Sequence, residues 1–349
     1  MTKGTTRSKL AASAVLAVAT LFAGSALADG TVNIYSYRQP DIIKPVLDAF
    51  TAETGIKTEV LFLDKGLEER ILAEGANSPA DVIMTVDIAR LTSAKEKGVT
   101  QPLVDEELNK ELPAEYRDPE GHWFGLTKRA RVVYASKDRV KDTAITYADL
   151  ADPKWKGKIC MRSGQHDYNL ALFSAAIAHW GPEKAEEWMK GLKANLAKKP
   201  DGGDRPQAGA IAAGECDIAI GNTYYVGLMR NNEKEPKEKE WGNAINVLFP
   251  TFENGLTHVN ISGAALAKNA PHRDDAVKLI RFLASHPAQQ VYAEKNYEYP
   301  VEPGLEPSET VKSFGTLNAD TLPLVDIAKG RKAASEMVDR VGLDDGPSS

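Results

Sequence analysis

The spacing of apolar residues switches repeatedly between two periods from residue 31 onward. "TVNIYSY" (31–37) alternates as a strand does, and "IIKPVLDAFTAETG" (42–55) places Ile43, Val46, Leu47 and Phe50 at helical spacing, with Gly55 as a stop. "KTEVLFL", "ADVIMTV", "GLEERILAEG" and "IARLTSAKEKG" continue the series, so the first hundred residues predict βαβαβα and a parallel sheet covered by helices. After "WFGLTKRARVVYAS" a second series opens. "GKICMRSG" and "CDIAIGN" are the strands, and "YNLALFSAAIAHWG", "EKAEEWMKGLKANLA" and "RPQAGAIAAGE" the helices, with a further helix from about Thr223. "LTHVNISGAALAK" predicts strands again, followed by the helices "DDAVKLIRFLAS" and "PAQQVYAEKN" and a tail that is helical in parts. Two α/β units with no flexible linker predict two lobes joined by crossing strands. Ligands of open α/β sheets bind at the carboxyl ends of strands, which here face a cleft between the lobes.

The first 28 residues depart from this pattern. Lys3, Arg7 and Lys9 precede a small, apolar stretch ending in Ala26-Leu27-Ala28, so a secretory signal peptide cleaved after Ala28 is expected. That leaves an exported chain of 321 residues, long enough for two domains. Loss of three positive charges takes the net charge from −6 to −9, which disfavours nucleic acid as a partner. No later segment reads as a membrane span. In an exported chain the pair Cys160 and Cys216 suggests a disulfide, since both lie in short strands that a sheet can bring together.

No motif of a serine hydrolase, a P-loop or a zinc protease occurs, and the six histidines are scattered, so an enzyme is not expected. The strand ends carry more. Tyr37, Arg38 and Gln39 follow the first strand, Tyr168 opens a helix after "KICM", and Tyr224 and Tyr225 open another after "CDIAI". Neither a helix nor a strand buries two adjacent phenols on one face. Three tyrosines at one cleft suit either a hard trivalent cation, which ionises its phenol ligands, or an aromatic box for an organic cation. Arg129 and Arg131 alternate on one strand and share a face, fit to neutralise phenolates or hold a small anion.

The segments "VNIYSYRQPD", "KGLEERI", "SPADVIMTVD", "HWFGLTKRARVVY", "RSGQHDYNL", "LKANLAKKPDGGDR" and "IAIGNTYYVG" together resemble the periplasmic ferric-iron-binding proteins, the substrate-binding components of Fe(III) ABC importers. The resemblance runs in order along the whole exported chain. It implies an α/β, two-lobed class II periplasmic-binding-protein fold, with residues 29–130 and about 255–303 in one lobe and 131–254 and about 304–349 in the other. It implies a monomer that passes Fe(III) to an inner-membrane ABC permease. By position, Tyr224 and Tyr225 match the family's ligand pair, and Tyr168 matches the third ligand of the branch that uses three phenolates with carbonate as a synergistic anion. Arg129 matches its anion-holding arginine, and Arg38 and Gln39 the loop beside the anion; Tyr37 and Arg131 are weaker candidates. Other branches place His or His-Tyr where this chain has Gln39 and Pro40, and some supply Glu where it has Asp87. The first lobe is therefore expected to give no protein ligand. The competing reading is a binding protein for an organic cation such as a polyamine or thiamine.

Overall fold

The structure, a computed structural model, describes residues 1–2 and 30–347. The expected signal peptide and its cleavage site lie outside the described residues. No described helix is long and apolar enough to cross a membrane.

In chain order the main elements are β1 (Thr31–Ser36), α1 (Pro40–Thr54), β2 (Lys57–Phe62), α2 (Leu67–Glu74), β3 (Val82–Thr85), α3 (Ile88–Glu96), α4 (Glu106–Glu111) and β4 (Phe124–Ser136). Then follow β5 (Ile159–Cys160), α5 (Asp167–Trp180), α6 (Pro182–Ala194), α7 (Asp204–Ala212), β6 (Ile218–Asn222), α8 (Thr223–Arg230), α9 (Pro236–Asn243) and β7 (Ile245–Leu248). The chain closes with β8 (Val259–Leu266), α10 (Arg273–Ala284), α11 (His286–Lys295), β9 (Tyr299–Pro300), α12 (Glu309–Lys312) and α13 (Leu324–Val341).

The strands run β2-β1-β3-β8-β4-β6-β5, with β7 and β9 also paired to β4. β1 lies parallel between β2 and β3, with Ile34 opposite both Val60 and Val82. β8 returns antiparallel between β3 and β4. The long strand β4 makes the two-lobed shape. Its residues from Phe124 to Ala130 pair with β8, and from Arg131 onward it pairs with β6 and β7 instead. One strand thus belongs to two sheets, and the lobes meet where it changes partners.

Each lobe has its own core. Ile34, Val46, Phe50, Val82, Leu279 and Leu283 fill one face of the first sheet. Leu150, Phe173, Met189, Ile220 and Met337 fill one face of the second. The helices that supply these residues are amphipathic, as in α10, whose Val277, Ile280 and Leu283 recur every three residues and are buried. The predicted stop at Gly55 is a left-handed C-cap with φ 74°. Cys160 and Cys216 form a disulfide, with Cα atoms 5.9 Å apart.

The sequence pattern gave no hint of where α13 packs. It lies along α5 of the second lobe and also against α3 of the first. Leu324 and Ile327 of α13 and Ala171 of α5 join Ile88 and Leu91 of α3 in one apolar cluster.

Candidate functional site

The tyrosines converge because two strands of one sheet end side by side and each runs into a helix. β5 and β6 are parallel neighbours, with Cys160 opposite Ala219. Their carboxyl ends therefore deliver α5 and α8 to the same place. His166 caps α5, its Nδ1 accepting from the Tyr168 backbone N–H at 3.2 Å, and Tyr168 stands in the first turn. Asn222 occupies the N-cap position of α8, so Tyr224 and Tyr225 stand in its first turn. The Tyr168 and Tyr224 hydroxyls are 3.1 Å apart. The rings of Tyr224 and Tyr225 lie 4.2 Å apart at 38°. These three phenols share a cavity of ≈ 200 Å³ with Tyr37, Arg38, Gln39, Arg90 and Arg162.

Tyr224 and Tyr225 hold their protons tightly. Burial pushes Tyr224 well above the ordinary tyrosine value, and the neighbouring Tyr168 and Tyr225 add to it. Burial likewise raises Tyr225, with Tyr168 adding to it. Only a strong positive charge placed among them reverses that order. Among the described residues no group of three or more His, Cys, Asp or Glu is placed to hold a metal.

The arginines divide by their partners. Arg38 is buried and ion-paired with Glu298, while its Nε makes no hydrogen bond within the protein. Arg162 reaches Asp204 at 3.4 Å, lies 5.1 Å from the Tyr168 ring centre, and also has an unbonded Nε. Gln39 is exposed at the rim, with no capping bond to α1. Arg129 sits behind the phenols, 5.3 Å from the Tyr168 ring centre. It lines a separate ≈ 10 Å³ cavity with Arg131, Asn222, His258 and Asn260. It donates to the Val86 carbonyl and lies 3.7 Å from Asp87, and its Nη1 is free of protein partners. Arg131 is engaged, donating to Asp204 at 2.6 Å and to the side chains of Asn169 and Asn222. It shapes the site by tying α5, α7 and β6 together, with four of its five N–H groups spent on these partners.

Tyr37 turns its hydroxyl away from the other three. That oxygen donates to Glu68 and accepts from the Leu67 backbone N–H, while the ring carries the Arg90 guanidinium 3.7 Å from its centre. Asp87 is likewise occupied: it caps α3 through Ala89 and accepts from Asn260 at 2.8 Å. The first lobe therefore faces the phenols with Arg38, Gln39, Asp64 and Arg90.

Residue-by-residue reading passed over Arg162, Asp204 and Arg90. Arg162 carried a usable signal, since it follows β5 as Arg38 follows β1. Asp204 opens a helix and reads as a cap; its burial beside Arg131 appears only in three dimensions. Burial raises the Asp204 carboxyl, but Arg131 and Arg162 lower it by more, so it sits below the usual carboxylate range.

A two-lobed α/β fold with a charged cleft at its strand ends is the architecture of solute-binding proteins. The chain belongs to the bacterial extracellular solute-binding protein family, whose profile matches residues 77–320. Among curated relatives it is similar to iron uptake protein A1 of Synechocystis sp., 43% identical over 89% of this chain and 87% of the relative. Among solved structures it is similar to the apo ferric ion-binding protein A of Pasteurella haemolytica, 50% identical with a TM-score of 0.86, covering 90% of this chain and 98% of the other. It is also similar to the Trichodesmium protein IdiA (FutA) in complex with iron and citrate, 42% identical with a TM-score of 0.82, covering 90% and 100%.

Proposed function

We propose that this protein captures Fe(III) in the periplasm and hands it to an inner-membrane ABC permease, with no turnover of its own. The observation that carries the reading is the meeting of Tyr168, Tyr224 and Tyr225 in one cationic cavity. Three phenolates balance the charge of Fe(III). The arginines that remain around the cavity then favour one small anion to complete the metal's shell. Carbonate fits that place, held from Arg38, Gln39 and Arg162 in front, with Arg129 supporting from behind Tyr168. The relatives named for iron uptake and ferric binding support the substrate. One jaw is residues 29–130 and 255–303, the other 131–254 and 304–349, and the protein acts as a monomer.

The organic-cation reading fares worse in this geometry. A polyamine or thiamine in an aromatic cage wants free carboxylates beside the rings. Asp167 is taken up by Arg90 and Arg331, and among the described residues the one carboxylate without an ion pair on the cavity, Asp64, is outnumbered there by Arg38, Arg90 and Arg162.

The test is optical. Phenolate–Fe(III) pairs absorb visible light by charge transfer, and the other readings give no such band. Adding ferric citrate and bicarbonate to the apo-protein should colour it, and the Tyr224→Phe/Tyr225→Phe variant should stay colourless. A colourless parent protein rules the reading out, and a coloured double variant rules out these ligands.

A further inference from the structure

The cleft has a second fastening that involves no ligand. Arg90 belongs to α3 of the first lobe and Asp167 to the first turn of α5 of the second, and Arg90 Nε donates to Asp167 Oδ2 at 2.5 Å. Asp167 is 5% exposed, and its other oxygen pairs with Arg331 of α13. Arg90 is held from the first lobe as well. Its guanidinium lies over the Tyr37 ring, and it reaches the Asp64 carbonyl at 3.4 Å. Tyr37 in turn is fixed by Glu68 and Leu67. Behind this ionic arch the apolar residues Ile88 and Leu91 of α3 cluster with Ala171 of α5 and with Leu324 and Ile327 of α13. Charged groups thus close over an apolar seat across the seam. The arch also divides two spaces. Tyr37, Arg90 and Asp167 line both the phenol cavity and a larger crevice of ≈ 670 Å³ between α2, α3 and α13.

We infer that Arg90, Asp167 and Arg331 form a latch that holds the lobes together on the α3–α13 side without a metal bridge, and that Arg90 is a positioning residue for the iron site. The inference rests on the functional reading only for its effect on iron; the latch itself is a property of the iron-free protein. In a site where both lobes supply ligands, the metal ties them together. Here all three phenols come from the second lobe, and Asp87 and Tyr37 of the first are bound elsewhere. Closure of the iron-free, anion-free protein therefore has to come from protein–protein contacts. Asp167 adjoins Tyr168 in the chain, so the latch also fixes the turn that presents that phenol.

The experiment pairs small-angle scattering of the iron-free protein with iron loss to a competing chelator, for the parent, Arg90→Ala and Arg90→Gln. Arg90→Gln keeps a stem over Tyr37 and removes the charge, so it serves if Arg90→Ala misfolds. The expected result is a larger radius of gyration for the variants and release faster by about tenfold, the size of effect a partly buried charged hydrogen bond supports. Arg90→Lys, which keeps the charge, should fall between. Scattering profiles that superimpose on the parent overturn the latch. Unchanged release from variants that do open overturns the positioning role. A parent that binds no iron sinks the functional reading instead, and the scattering comparison still decides the latch.

Discussion

A phenol binds a metal only after giving up its proton, and Tyr224 and Tyr225 are built to resist that. Burial and mutual proximity raise both above the ordinary value, so every iron bound must expel protons. Each proton released makes the apparent affinity fall by up to about tenfold per pH unit as the medium is acidified. Competition titrations between pH 8 and pH 6 should show that slope, and a flat profile would mean the phenols are not the ligands. Tyr168→Phe keeps the ring against Arg129 and Arg162 and removes only the oxygen. Loss of an outer-shell partner typically costs 10–100-fold in metal affinity, so loss of a ligand should cost at least about a hundredfold, with a weakened visible band. At this scale the sequence was partly legible. The adjacent tyrosines stood out because no regular element buries both. Tyr37 stood as a weaker candidate, and only the Glu68 and Leu67 contacts reveal that its oxygen is spent.

The elements carry the site as rigid arms. β5 and β6 must stay in register for α5 and α8 to start side by side, and two local features keep them so. The disulfide joins the end of β5 to the residue entering β6, across a sequence separation of 56. Replacing Cys160 and Cys216 by serine should lower stability by roughly 2–4 kcal/mol, read as a shift in denaturant midpoint with the iron-free protein. The second feature is Gly221, which lets β6 pass close to Tyr134 of β4. A Cβ there would come within 2.1 Å of the Tyr134 ring. Tyr134 also donates to the Asn222 carbonyl at 2.5 Å, at the start of α8. Gly221→Ala should cost about 1–3 kcal/mol by overpacking and weaken iron binding through the shifted helix; a thermal melt and a titration separate the two effects. Elements of this kind were readable from periodicity, because their apolar stripes face a single lobe's core. α13 was not, because its pattern states which residues are buried but not which lobe buries them.

The whole molecule adds a pH limit that is independent of iron. His258 lies just before β8, where the chain crosses between lobes. Burial, then the charges of Arg129 and Arg131, lower it to about 3, against the pull of Asp320. Its folded value is lowered, so below about pH 6.5 the unfolded chain takes up a proton that the folded chain refuses. The contribution is intact above pH 6.5 and is lost as the pH falls toward 3. By pH 5 that is roughly 2 kcal/mol. Melting temperatures of the iron-free protein should drop across pH 6.5 to 5, and His258→Gln should flatten the drop; an equal slope in both would show that other groups govern it. The two-lobed plan was legible from two βα series without a linker. The site's charge balance was not, because Arg38–Glu298 and Arg131–Asp204 join residues far apart in sequence.

The placement of β8 between β3 and β4 also sets an order of events during folding. The first lobe's sheet lacks the strand that joins β3 to β4 until residues 259–266 have emerged. A chain ending before them leaves an edge of β3 bare and lacks α10, whose Leu279 and Leu283 fill the first lobe's core. Contacts between strands so far apart in sequence form slowly. The first lobe's sheet therefore cannot be completed until more than two thirds of the chain has been made, which leaves time for it to be threaded unfolded through a narrow pore.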